Sequence, residues 1–150
     1  MLGYRICRAA HRALDGEGAR LYGGRWNSAG RAVIYLSGSR ALAALELLVH
    51  LDSSEAPRDL VLIEVSFPDD STDIVRPDSL PASWSRTPDH PACQARGDAW
   101  LDAAKQLALR VPAAPVAEEV NYLLNPAHPA FRRVRTRTQR RFTFDPRLIR

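Results

Sequence analysis

Cysteine is nearly missing from this chain: Cys7 and Cys93 are the two in 150 residues. Two isolated thiols exclude the disulfide framework of a small secreted domain and, without paired His/Cys spacing, argue against structural zinc, so no metal is expected. The first residues lack the apolar core of a signal peptide, and the longest apolar helical stretch is broken by Glu46 well short of a membrane span. A soluble, cytoplasmic protein with no membrane contact is the expectation. The glycine-rich phosphate loops of Rossmann and P-loop proteins are both absent, which leaves dehydrogenase and nucleoside-triphosphatase readings unsupported. No repeat and no low-complexity segment divides the sequence. A chain of this length buries roughly 70% of its unfolded surface, enough for one core, so residues 1–150 are read as one domain.

What is present is basic. The formal charge is +4 and the isoelectric point near 9.6. Much of the excess lies in the tail from Phe131, as Arg132, Arg133, Arg135, Arg137, Arg140, Arg141, Arg147 and Arg150. Such a strip attracts polyanions, but no aromatic-interleaved platform or recognition helix accompanies it, so direct nucleic-acid binding is not expected. Val134, Thr136 and Thr138 alternate with arginines and predict a strand, and Arg141-Phe142-Thr143-Phe144 predicts another. An acidic partner surface suits that edge.

Val61, Ile63, Val65 and Phe67 alternate with Leu62, Glu64 and Ser66, the pattern of a half-buried strand ended by Pro68-Asp69-Asp70. Pro77 to Pro91 reads as a long irregular surface loop, with a place beside the functional site as the expectation. Asp98 is placed to cap a helix from Ala99 to about Leu107, with Trp100, Leu101, Ala104 and Leu107 inward. Asn121, Asn125 and His128 fall in a loop-prone segment, because Pro126 and Pro129 block a continuing helix. Asn125 is read as a turn residue, and Asn121 and His128 as turn residues or as lining of a cleft.

The chemistry concentrates between Gly23 and His50. Ser39 suits an N-cap for the helix that follows. Each helical residue advances about 100° around the axis, so with Leu42 at zero, Leu45 and Val49 fall within roughly 60° on one side and Glu46 about 40° on the other. Glu46 therefore interrupts the apolar stripe that should face the core. An ionised carboxylate removed from water without a partner costs on the order of several kcal/mol, and it takes up a proton or pairs with a cation. The alternative is a carboxylate at the stripe's margin that reaches solvent. Arg31 to Leu36 reads as a short buried strand bounded by Gly30 and Gly38. The turn Ser37-Gly38-Ser39 then lets Tyr35 and Glu46 approach one cavity from two elements. Gly23 and Gly24 permit close backbone approaches and present Arg25, whose five-donor fork suits phosphate or carboxylate. An ordinary hairpin with a surface arginine is the plainer reading of that loop. Together these are parts for holding a phosphorylated, cationic small molecule.

The same residues carry a resemblance. Gly24-Arg25-Trp26-Asn27, Gly30-Arg31, Tyr35 and Ala44-Leu45-Glu46-Leu47-Leu48-Val49-His50 resemble the first half of a RES domain, the toxin of a class of bacterial toxin-antitoxin modules. Gly97-Asp98-Ala99-Trp100-Leu101, Val111-Pro112, Glu118, Asn121-Tyr122-Leu123-Leu124-Asn125-Pro126, His128-Pro129 and Phe144-Asp145-Pro146-Arg147-Leu148 resemble the second half in order and approximate spacing. The resemblance implies an α+β fold with an ADP-ribosyltransferase-like mixed sheet and flanking helices. It implies NAD+ as substrate, cleavage of the nicotinamide-ribose bond, and an Xre-like helix-turn-helix antitoxin covering the active site. Some members hydrolyse or phosphorolyse NAD+; others transfer ADP-ribose to a protein acceptor.

By motif position, the resemblance places catalytic roles on Arg25, Tyr35 and Glu46. Glu46 would face the positive charge left on ribose, Arg25 would fix the diphosphate, and Tyr35 would frame the nicotinamide ring. Arg5 on the first strand is a second arginine of the site, and Gly24, Trp26, Asn27, Ser37, Asn121 and Arg137 complete the expected NAD+ contacts. One position departs from the pattern: the family serine after Val-Pro is Ala113 here. A lost neutral hydrogen bond costs about 0.5 to 1.5 kcal/mol, which weakens activity or, in the alternative, leaves a catalytically silent NAD-binding module.

Overall fold

The computed structural model describes residues 1–51 and 56–149; Arg150 of the basic tail lies outside the described residues. Seven strands, β1 (Leu2–Arg8), β2 (Ile34–Ser37), β3 (Leu60–Ser66), β4 (Thr72–Ile74), β5 (Ala108–Pro112), β6 (Val120–Leu124) and β7 (Arg135–Arg141), form one mixed sheet. Their order is β4-β5-β6-β2-β1-β3-β7, with β4 and β5 parallel and the other neighbours antiparallel. Helices α1 (Glu17–Tyr22), α2 (Arg40–Leu48) and α3 (Pro91–Ala103) flank it, giving the expected α+β class. No helix among the described residues is long and apolar enough to cross a membrane.

The sheet is really two ladders joined at a seam. β1 pairs with β3 at seven positions from Leu2↔Ser66 to Arg8↔Leu60, and β2 pairs with β6 at four from Ile34↔Leu124 to Ser37↔Asn121. Between β1 and β2 the register holds at Tyr4↔Ser37, and beyond that pair the strands part. Gly3 permits the crossing, since a Cβ there would stand 2.8 Å from Leu36 Cβ. A cavity sits in the fork so opened.

Three apolar clusters fix these layers. Ile34, Leu36 and Leu124 of one ladder pack with Ile63, Val65 and Phe67 of the other on the face away from α2. α2 lays Ala43 and Leu47 over Ile6, Leu60 and Leu62, with Phe144 closing the cluster. α3 lays Cys93 and Trp100 over Val33, Leu109, Val111 and Leu123, with Trp26 and Trp84 wedged beside them. β2 is therefore covered on both faces, which is why its segment reads as a continuous apolar run rather than an alternating one. β3 is covered on both faces too, with Leu60 and Leu62 buried as well as Ile63 and Val65.

Three expectations are corrected here. α3 starts at Pro91, not at Ala99: His90 caps it by accepting from the Ala92 N–H, and proline at the first position needs no donor. Asp98 is consequently mid-helix, and Leu107 belongs to the lead into β5. Asn121 lies within β6, because Pro126 acts only after that strand has ended. The tail forms one strand rather than two. Phe142 and Phe144 leave β7 and meet edge to face at 5.1 Å, covering the α2 cluster.

Candidate active site

The cavity in the fork has a volume of about 780 Å³, within the range of pockets that enclose nucleotide-sized ligands. β1 contributes Tyr4, Arg5 and Ile6; β2 contributes Tyr35, Leu36 and Ser37; α2 and its end contribute Ala43, Glu46, Leu47, Val49 and His50. Gly23 to Trp26, then Ser85, Arg86 and Pro88, then Pro112, Ala114 and Pro115, and finally Asn121 close the remaining sides. Arg5, Gly24, Arg25, Trp26, Tyr35, Ser37, Glu46 and Asn121 are thus brought to one cavity. Asn27, Ala113 and Arg137 are not part of it.

Sheet register builds the floor. Val111, Asn121, Ser37, Tyr4 and Glu64 are successive cross-strand partners and form one row on one face. Ser39 caps α2 by accepting from the Leu42 N–H at 3.1 Å, which sets the helix over that row. Glu46 then reaches Asn121, whose Nδ2 donates to Glu46 Oε1 at 2.6 Å. The amide orients the carboxylate without neutralising it. The nearest competing cation on α2, Arg40, is spent elsewhere: it pairs with Glu64 and lies over the Tyr4 ring at 4.5 Å. Asn121 Oδ1 is buried with no partner among the described residues. Val49, read as core from the helical wheel, is instead 59% exposed at the cavity mouth. Ala43 and Leu47 take the inward positions, so Glu46 borders a cavity rather than interrupting a core.

The second wall is the loop around Arg25. Gly23 ends α1 at φ +70°, with its N–H bonded to the Ala19 carbonyl. Gly24 must lack a side chain, because a Cβ there would stand 2.7 Å from the Tyr35 hydroxyl. That hydroxyl accepts from the Trp26 N–H at 3.1 Å and donates to Asn27 Oδ1 at 2.7 Å. Asn27 Nδ2 in turn donates to the carbonyls of Ala19, Ser28 and Arg31. Burial pushes the Tyr35 phenol pKa up, so it is neutral at physiological pH and serves as a hydrogen-bonding frame. Arg25 Nη1 donates to the carbonyls of Trp84 at 2.8 Å and Thr87 at 2.7 Å, and its guanidinium carbon lies 5.8 Å from the Trp84 ring centre. One edge of the fork is thus occupied by protein.

With this geometry in view, the chain can be compared with known proteins. The RES domain model matches residues 3–145. This chain belongs to the RES-domain family. This RES domain is 40% identical over 140 residues to the "Prs ADP-ribosylating toxin" of Sphingobium sp. (strain YBL2), covering 91% of this chain and 87% of that one. It is 38% identical over 151 residues to "Toxin Res" of Yersinia enterocolitica, covering 99% of both. Its fold matches a chain of the crystal structure of the M. tuberculosis MbcT-MbcA toxin-antitoxin complex with a TM-score of 0.79 at 24% identity, over 95% of this chain and 84% of that one.

Several residues that support the cavity had no role readable from sequence, Gly97 and Asp98 among them although they belong to a motif of the resemblance. Asp98, read as a cap, holds Ser28 through its N–H at 3.0 Å and its hydroxyl at 2.5 Å, while Gln94 Nε2 donates to the Gly24 carbonyl at 3.2 Å. Gly97 lets α3 lie directly on the Trp26 backbone. Ser85, Arg86 and Pro88 line the cavity from the Pro77 to Pro91 loop, which was expected beside the site. The departures have physical reasons. Ala113 is fully buried between Pro112 and Ala114, its N–H bonded to the Glu119 carbonyl, so its side chain is not on the cavity surface. Arg137 is the extra residue where the β3-β7 register shifts, exposed on the outer edge of the sheet and two strands beyond β1. Asn125 and His128 accept from Ala127 and Ala130 N–H groups, which is turn and cap work.

Proposed function

We propose that this RES domain is a toxin that binds NAD+ in the fork and breaks its nicotinamide-ribose bond. The observation that carries the reading is the placement of Glu46, oriented by Asn121 and in no ion pair among the described residues, on the wall of a cavity of about 780 Å³ that Arg5 and Arg25 also line. When the C–N glycosidic bond breaks, its electron pair leaves with neutral nicotinamide and positive charge spreads over the ribose ring. A fixed carboxylate stabilises that charge, as in glycoside hydrolysis. Asn121 holds the carboxylate; Tyr35, neutral and anchored, frames the ring end; Arg25 and Arg5 supply positive charge for the diphosphate. Water or phosphate then attacks the ribose carbon, and growth stops as NAD+ is depleted.

Transfer of ADP-ribose to a protein acceptor is the second reading, favoured by the 40% identity to a relative named as ADP-ribosylating. The structural match to a chain of a toxin-antitoxin complex supports an antitoxin, proposed as Xre-like, that covers the cavity mouth beside exposed Tyr22 and Val49. The cytoplasm, where NAD+ and such a partner are available, is the proposed site of action. The test is nicotinamide release from NAD+ by purified protein, followed by chromatography, with Glu46→Gln in parallel. Release should fall by on the order of a hundredfold in the variant while the fold is kept. Free ADP-ribose indicates hydrolysis, ADP-ribose phosphorylated at the former nicotinamide-bearing carbon indicates phosphorolysis, and a mass increase on a cellular protein indicates transfer. Wild-type release by Glu46→Gln removes Glu46 from the chemistry.

A further inference from the structure

Three arginines, Arg5, Arg25 and the exposed Arg86, line the cavity against one acidic residue, Glu46. Two of the three are partly committed. Arg5 Nη1 donates to the Ala13 carbonyl at 3.4 Å, and Arg25 Nη1 is divided between the Trp84 and Thr87 carbonyls. Arg86 stands between those two carbonyls in sequence, and its guanidinium makes no hydrogen bond or ion pair with a described residue.

Its backbone, by contrast, is held from several directions. The Arg86 N–H donates to the Ser83 carbonyl at 3.0 Å, and Ser83 Oγ lies 3.0 Å from His90 Nε2. Trp84 is buried with its ring 6.2 Å from that of Trp26. Arg25 fastens the loop on both sides of Arg86. A braced main chain therefore carries an uncommitted five-donor fork beside the cavity, so that only the side chain, and not the loop, has to be ordered when an anion arrives. A plain surface arginine needs neither this bracing nor this position.

We propose that Arg86 is a diphosphate-binding residue, with Arg25 acting in part as the positioning residue that holds the Arg86 loop against the site. The assignment rests on the NAD+ reading and extends it to a ligand class: dinucleotides and nucleoside diphosphate sugars, whose two adjacent negative charges match a cavity lined by three arginines. Glu46, across the cavity, meets the cationic end. Nicotinamide riboside has that end and lacks the diphosphate.

The test is calorimetric titration of wild type, Arg86→Ala and Arg86→Lys with ADP-ribose and, separately, with nicotinamide riboside, alongside NAD+ kinetics and thermal denaturation. Arg86→Ala should melt as wild type does, bind ADP-ribose about tenfold or more weakly, and show a matching rise in KM for NAD+, because a charge-assisted bidentate contact is lost. Arg86→Lys should fall between, and nicotinamide riboside should bind all three alike. Arg25→Met should raise KM by less in the Arg86→Ala background than in wild type, since part of its effect runs through Arg86. Equal ADP-ribose affinity in Arg86→Ala, equal loss for nicotinamide riboside, or no ADP-ribose binding by wild type overturns the assignment. Arg86-dependent ADP-ribose binding without nicotinamide release overturns the enzymatic reading and upholds this one. Normal NAD+ kinetics in Arg86→Ala overturn this one alone.

Discussion

Asn27→Asp exchanges one NH2 group for an oxygen and leaves the shape of the side chain unchanged. Asn27 is 0% exposed. Its Nδ2 meets the carbonyl oxygens of Ala19 at 2.9 Å and of Ser28 and Arg31 at 3.1 Å, and its Oδ1 accepts from Tyr35. In the aspartate the atom facing three carbonyls carries a negative charge or, when protonated, a single donor. Two or three net hydrogen bonds at about 0.5 to 1.5 kcal/mol each are lost, and at least one buried acceptor is left unpaired at about 1 to 3 kcal/mol. The sum is about 4 kcal/mol. In a domain of this size each kcal/mol moves the melting temperature by roughly 2 to 4 °C, so a drop of about 8 to 16 °C is expected. Circular dichroism melts of wild type and Asn27→Asp at pH 7 measure it. A variant within about 2 °C of wild type would refute the claim that this amide clamps the Arg25 loop.

Gly97→Ala should also destabilise, by about 1 to 3 kcal/mol in chemical denaturation: helix propensity favours alanine, but the new Cβ would lie 1.7 Å from the Trp26 carbonyl oxygen. A more stable variant would show that α3 can slide away at little cost. Asn121→Asp sets a second carboxylate against Glu46, so one of the pair retains a proton and the acid limb of the pH-rate profile for nicotinamide release should move to higher pH. An unmoved limb would separate Glu46 from the titration. Burial raises the Tyr35 pKa, so its stabilising contribution is complete below about pH 10, the unfolded tyrosine value, and is lost as pH rises toward the folded one. Tyrosinate absorbance up to about pH 10 should therefore be equal in wild type and Tyr35→Phe, and a smaller amplitude in the variant would contradict the burial.

The legible parts of the sequence were those set by local chemistry. Ser39 before an apolar helix and the apolar run into Tyr35 both depend on neighbours within a few residues. They appear as α2 and β2. α3 was misplaced because its buried face is Cys93, Gly97 and Trp100. A glycine at the centre of a helix reads as a break, and only the closeness of Trp26 explains it. The clamp on the Arg25 loop was invisible for the same reason, since Asp98 and Ser28 lie 70 residues apart. Arg137 was placed near phosphate on charge alone, whereas charge and a register shift on an outer strand serve to keep an open edge from pairing.

The seam at Tyr4↔Ser37 has a mechanical consequence. Two hydrogen-bonded ladders that meet at one pair can change their mutual angle while every other pairing in both stays intact. What resists that motion is the shared apolar layer behind the seam and whatever bridges the fork in front of it. A ligand touching Arg5 on one strand and Tyr35 on the other acts as the missing rungs, and so couples the unfolding of the two halves. Occupancy of the site then sets how far the protein melts as one unit.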